Sequence, residues 1–202
     1  EKNLNIGGDH SMAISTVADS LNKHKNLKVL WIDAHPDINI YEKSSTKNFH
    51  GMPLAFLTNL DSNKNFTFIK NHLDFKNLLY IGIRDIDTYE KEVITKYNIN
   101  YIKCEELNSN PIDTLQKINE FLKDDPYHLS FDVDSLDPSF IPCTGTPVEG
   151  GLDLEKTKYI LDNLKTKNLV NMDLTELNLE LGNKEEQEKT MKNVKYLLDK
   201  YL

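Results

Sequence analysis

Six short apolar runs recur along the chain: LNI (4–6), LKVLWI (27–32), LLYIGI (78–83), INYI (99–102), HLSFDV (128–133) and LVNMDL (169–174). Each has the length of a strand, and several are apolar at consecutive positions, as strands buried on both faces are. Between them, apolar residues return at helical spacing over 12–21, 89–97, 112–122 and 154–164. The last stretch, 184–202, reads as a helix with Met191, Val194, Leu197 and Leu198 on one side. Strands alternating with helices predict crossover units and a mostly parallel sheet covered on both faces.

Two insertions, 39–50 and 135–152, break this rhythm. The second contains DPSFIPCTGTPVEGG, too rich in Pro and Gly for regular structure. Both follow predicted strands, so both belong at the carboxyl edge of the sheet, where open parallel sheets bind ligands.

Composition narrows the partner. The 202 residues suit a single domain, taken here as 1–202, and 39% hydrophobic residues suit a buried core. No apolar run approaches the ~20 residues of a membrane helix. A formal charge of -8 argues against nucleic acid and is easier to reconcile with a small cationic ligand. Two cysteines in unlike contexts, Cys104 and Cys143, suggest a reducing compartment and cytoplasmic residence. No signal or transit peptide is visible, and the chain starts at Glu1 rather than Met.

The polar groups that close the apolar runs carry the chemistry. His10 follows the first run in GGDH, Asp33, His35 and Asp37 follow the second in DAHPD, and Asp132 and Asp134 close the fifth in FDVD. In extended backbone alternate residues share a face, so each set can point one way, and Pro36 biases His35 toward that geometry. Taken singly, DAHPD could be a surface turn, GGDH a helix start capped by Asp9, and the Asp-Pro stretch an ordinary turn. Together, at three strand ends, they argue for a site. Four buried carboxylates repel unless neutralised, and two divalent cations balance their charge. Six ligands suit a bridged metal pair, and an oxygen-rich set with one imidazole per ion favours manganese. His24, His72 and His128 lack such company and read as surface or satisfied structural histidines.

Four motifs, GGDHS (7–11), DAHPDIN (33–39), SFDVDSLDPSFIPCTGTPVEGGL (130–152) and MDLTELN (172–178), resemble those of the ureohydrolases, and of arginases in particular. The resemblance implies a three-layer α/β/α fold and hydrolysis of L-arginine to L-ornithine and urea by a hydroxide bridging two manganese ions. It implies one ion held by His10, Asp33, Asp37 and Asp132 and the other by His35, Asp33, Asp132 and Asp134. Asn39, Thr46 and Asn48 then read the substrate α-carboxylate, and Asp87 and Glu90 its α-amino group. Glu176 binds the guanidinium with Thr146 nearby, and His50 transfers protons. Family members carry N-terminal strands before the GGDH strand, so those strands are expected to be missing here, and a homotrimer is expected by analogy. Pro36 stands where a small or hydroxyl residue is usual and stiffens the turn. Lys47 stands for a usual Gly, where it either attracts the carboxylate or crowds the mouth. Leu179 and Gly182 depart from the usual continuation after Glu176. Two other readings stay open: an agmatinase or other guanidino-compound hydrolase, and a catalytically silent arginase-like subunit.

Overall fold

A computed structural model describes residues 3–62 and 65–202. Six strands form one sheet: β1 (Asn3–Ile6), β2 (Lys28–Ile32), β3 (Leu78–Ile81), β4 (Asn100–Ile102), β5 (Tyr127–Asp132) and β6 (Leu169–Thr175). Their order is β1-β6-β5-β2-β3-β4 and every pairing is parallel. The six apolar runs are these six strands. β1 is an edge strand with Ile6 exposed, and β2, β3, β5 and most of β6 are buried.

The helices are α1 (Ala13–Lys23), α2 (Pro53–Leu57), α3 (Thr88–Lys96), α4 (Cys104–Ser109), α5 (Pro111–Leu122), α6 (Leu154–Asn163) and α7 (Lys184–Leu198). Strand periodicity divides the core between the two faces. Val29, Trp31, Leu78 and Tyr80 pack with Ala13, Val17, Leu54 and Val93, which puts α1, α2 and α3 on one side. Leu30, Ile32, Leu129 and Phe131 pack with Leu107, Ile118, Leu161 and Leu197, which puts α4 to α7 on the other. The result is the expected three-layer α/β/α arrangement.

Five of the helices match the predicted stretches to within a few residues, but α2 and α4 have no counterpart in the sequence reading. α2 is five residues, PLAFL, buried on every side, so it has no apolar–polar period to detect. α4 is six residues set by local capping, with Glu106 returning a side-chain bond to the Lys103 backbone.

Both insertions lie at the carboxyl edge. The 135–152 segment forms an arch held by side chains from outside it as well as by its own. Asp137 accepts hydrogen bonds from the Ser139, Gly150 and Gly151 amides. Asn108 of α4 donates to Gly151 O and accepts from the Asp153 amide. Gly151 lies so close to Leu136 and Asp137 that a Cβ there would fall 2.3 Å from the Asp137 amide nitrogen.

Candidate metal centre

β5 lies beside β2 with Ser130 opposite Trp31 and Phe131 opposite Ile32, so Asp132 and Asp33 end neighbouring strands. His10 arrives from the far side of β6. Asp9 caps a single turn at His10–Met12 by accepting from the Ser11 amide, and the chain then enters α1. Capping by Asp9 and a place for His10 among the carboxylates, alternatives in the sequence, coexist at adjacent residues. The His10 ring stacks on Trp31, centroids 4.1 Å apart and planes within 6°, and its Nε2 meets Ser130 Oγ at 2.8 Å.

The ligand sets do not converge through extended backbone, as alternation along a strand had suggested. β2 stops at Ile32, the Asp33 carboxylate accepts from the His35 amide at 2.7 Å, and Asp37 takes a left-handed φ of 49°. The Asp132 carboxylate likewise accepts from the Asp134 amide at 2.8 Å. These carboxylate-to-amide turns fold each motif back over its strand end. Tyr80 donates to Pro36 O at 2.8 Å, and the Glu90 carboxylate accepts from the amides of Ile38 and Asp87, so the DAHPDIN turn is secured from β3 and α3.

The six candidate ligands are brought together, and all but His35 are buried. His10 Nδ1 lies 2.9 Å from Asp33, 3.1 Å from Asp37 and 3.0 Å from Asp132 carboxylate oxygens, yet it is a buried atom with no hydrogen-bond partner. None of the three oxygens is in line to receive a proton from it. Spacings of about 3 Å are those between neighbouring corners around one divalent ion with bonds of ~2.1 Å. His35 Nδ1 lies 3.1 Å from Asp134 and 3.5 Å from Asp33, and Asp33, His35 and Asp134 form a second group with ligand atoms within 4.8 Å of one another. Asp33 belongs to both groups.

Electrostatics points the same way. Burial and the neighbouring Asp33 charge push the Asp37 carboxyl up to about 7. Burial and the charges of Asp134 and Asp33 hold Asp132 well above the usual range. Burial also raises Asp33, but His10 and His35 outweigh it and hold that carboxyl low. Burial disfavours charge on the imidazoles too, and their carboxylate neighbours reverse this, lifting His10 well above normal and His35 to about 12. The cluster therefore draws positive charge onto its own imidazoles. Divalent cations would supply that charge instead, so the residues present fit a metal pair.

A cavity of about 240 Å³ opens above the cluster. His35, Asp37, Asp132 and Asp134 form its floor, and Asn39, Thr46, His50, Asp87, Glu90, Thr146 and Glu176 line its walls. Glu176, at a left-handed φ of 61°, is tied down by its amide bond to Gly8 O, and its Oε1 accepts from the His10 amide at 2.8 Å. His50 Nδ1 faces the same oxygen at 3.2 Å, and that bond raises the imidazole pKa against the opposing effect of burial. Thr146 donates to Asp134 Oδ2 at 3.1 Å, and Asn39 donates to Asp87 Oδ2 at 2.8 Å.

Asn48 is exposed, with its amide bonded to Thr46 Oγ1, and does not line the cavity. Lys47 also lies off the wall. Its Nζ bonds Tyr41 O and sits over the Tyr41 ring, so it neither faces nor crowds the mouth. Sequence reasoning missed Ser44 and Ser45 on the wall, and Asp85, which lies 3.7 Å from His35 Nε2. The doublet SS beside Thr46 was the available signal for the serines. His128 is a satisfied structural histidine, bonded at 2.9 Å to both Asp173 and Ser20 inside the fold.

The sequence model of the group described as Arginase family matches residues 1–200. An arginase of Plasmodium falciparum is 43% identical over 189 residues, spanning 87% of this chain and 45% of that protein. One of Neurospora crassa is 42% identical over 188 residues, spanning 87% and 52%. The chain thus spans about half the length of the curated relatives it matches. The crystal structure of Entamoeba histolytica arginase in complex with L-ornithine superposes with a TM-score of 0.88 at 34% identity, covering 96% of this chain and 68% of that one. Bacillus cereus arginase gives 0.89 at 30% identity, covering 96% and 68%. With two carboxylate–imidazole groups sharing Asp33 at the edge of a matching sheet, this chain belongs to the arginase family.

Proposed function

We propose that the chain carries the active centre of an arginase, which cleaves the guanidinium group of L-arginine to give L-ornithine and urea with two manganese ions as cofactor. The observation that carries this reading is His10 Nδ1, buried, without a hydrogen-bond partner, and ringed by three carboxylates. His10, Asp33, Asp37 and Asp132 would hold one ion, and His35, Asp33, Asp132 and Asp134 the other. Bound there, divalent ions supply the Lewis acidity that makes water a nucleophile near neutral pH.

The rest falls to side chains. The Glu176 carboxylate accepts paired hydrogen bonds from the planar guanidinium and holds its carbon over the cluster. To do so it exchanges its contact with His50 for the substrate cation. His50, with its protonated form favoured, delivers a proton to the departing amine or passes one to solvent. Asn39 and Thr46 meet the α-carboxylate, and Asn48, off the cavity wall, gives its amide to the Thr46 hydroxyl. Asp87 accepts from the α-amino group, while both oxygens of Glu90 are taken up by main-chain amides, so Glu90 acts by holding the Asp87 turn. Thr146 orients Asp134 beside the guanidinium pocket. A ligand site for the α-carboxylate favours an amino acid over agmatine. L-ornithine in the Entamoeba histolytica structure is the product expected here.

A homotrimer and cytoplasmic residence complete the reading. Both cysteines are unpaired and buried, and among the described residues no helix is long and apolar enough to cross a membrane. Light scattering checks the assembly. Urea release from Mn²⁺-loaded protein, offered L-arginine and agmatine side by side, tests the chemistry. Urea from arginine alone is expected. Release from agmatine instead would transfer the activity to the sister enzyme, and metal binding without urea from either would make the chain a silent subunit.

A further inference from the structure

Arg84 is the only arginine among the 24 lysines and arginines of this chain. It sits just past β3, outside the candidate site, and its guanidinium spans a gap between loops. Nε donates to Glu149 O at 3.3 Å. Nη1 donates to Gly82 O and Ser135 O, each at 3.1 Å. Nη2 donates to Asp134 O at 2.9 Å, Leu136 O at 3.4 Å and Val148 O at 2.7 Å. The Arg84 amide itself donates to Ala34 O at 2.8 Å, inside the DAHPD turn.

Six main-chain carbonyls therefore share one cation. Three belong to the segment 134–136 and two to 148–149, so the group clamps the arch at its entry and near its exit. Between them lies Thr146, which donates to the Asp134 carboxylate. Asp134 is thus oriented twice, through its carbonyl by Arg84 and through its carboxylate by the arch that Arg84 holds. The Arg84 amide couples the same assembly to the turn that carries Asp33 and His35.

From this geometry we infer that Arg84 is a positioning residue for the metal position formed by Asp33, His35 and Asp134, acting through the main chain of 134–136 and 148–149. The inference rests on reading the cluster as a two-metal centre. The metal position at His10 and Asp37 takes none of its bonds from this clamp, so the effect is one-sided. Lysine is no substitute: a guanidinium spreads five donors over a plane, whereas an ammonium offers three at one point. Lysine is the other basic residue throughout the chain, and where Lys200 gathers carbonyls it reaches those of Leu161, Asp162 and Leu164 within one short stretch, whereas Arg84 spans six carbonyls from three separate segments.

The test is Mn²⁺ titration of the whole chain, wild type against Arg84→Lys, followed by calorimetry and by electron paramagnetic resonance, which separates a lone ion from a coupled pair. Arg84→Lys is expected to keep one site at wild-type affinity and weaken the other by about 10- to 100-fold, as loss of groups that orient metal ligands does. The coupled-pair signal then appears only at high Mn²⁺. Asn108→Ala, which loosens the arch only at its far base, is expected to leave both affinities unchanged. If Arg84→Lys does not fold, Thr146→Val decides, and it must weaken the same single site. Two wild-type affinities in Arg84→Lys, or in Thr146→Val where the lysine variant does not fold, would overturn the inference. Failure of the wild type to bind two ions would instead refute the two-metal reading beneath it.

Discussion

The arch at 135–152 and the rim loop at 39–50 both follow strands and both border the cavity, yet different parts of the molecule hold them. Arg84, Asn108 and Asp137 pin the arch through side-chain bonds to its main chain. Over 40–48 the rim loop is held mainly by itself: Ser44 bonds Ile40 O and the Lys47 amide, Thr46 takes the Asn48 amide, and Lys47 bonds Tyr41 O. Most of its side chains are exposed. The arch serves Asp134, whose position an ion would require to within a fraction of an ångström, and so it is over-determined. In the proposed reading the rim meets the flexible end of the substrate, where adaptable polar groups suffice.

The largest expected effect comes from breaking what both loops border. Asp132→Asn removes one charge from the centre of the cluster while keeping its shape, and Mn²⁺ affinity is expected to fall by at least about 100-fold. Titration calorimetry measures it, and unchanged affinity at both positions would remove Asp132 from the ligand set. Next is His50→Asn, on the rim side, which is expected to slow kcat by about 100-fold while metal binding stays intact. Equal metal affinity with unchanged kcat across pH would end its proton-transfer role.

Asp137→Ala sharpens the comparison through stability. It deprives three arch amides of a charged acceptor and is expected to lower unfolding free energy by about 1 kcal/mol, read by urea denaturation. The Ser139 side chain and main-chain bonds hold the Asp137 carboxyl below its usual pKa. Its contribution is therefore present above the unfolded value of about 4 and disappears as pH falls through the lower folded value, so the variant and wild type converge in acid. A gap that is constant down to low pH would exclude this charge as the cause. The smallest effect belongs to Lys47→Gly. Its φ of 64° favours glycine, and the lost contact with the Tyr41 ring offsets that gain. Stability within about 1 kcal/mol and KM for arginine within about two-fold are expected, because Lys47 lies off the cavity wall. A large rise in KM would place its ammonium on the substrate.

Much of this was legible before any fold was known. The apolar runs marked all six strands, because a strand buried on both faces needs continuous apolar sequence. Asp33, His35, Asp37, Asp132 and Asp134 stood out because charged groups that end apolar runs in clusters are costly unless used. α2 and α4 were invisible because helices this short carry no usable period. Ser44 and Arg84 were missed for another reason: the cavity wall that Ser44 joins and the carbonyls that Arg84 bridges are assembled from segments distant in sequence.

The sequence by itself determined the element types, the carboxyl-edge position of both insertions and the identity of the six ligand candidates, since each is written in local pattern. Tertiary structure alone decided that β5 lies between β2 and β6, that His10 crosses β6 to stack on Trp31, and that Glu176 turns back onto the His10 amide. Which strands become neighbours depends on how helices pack over both faces of the sheet at once. No local window of residues encodes that balance.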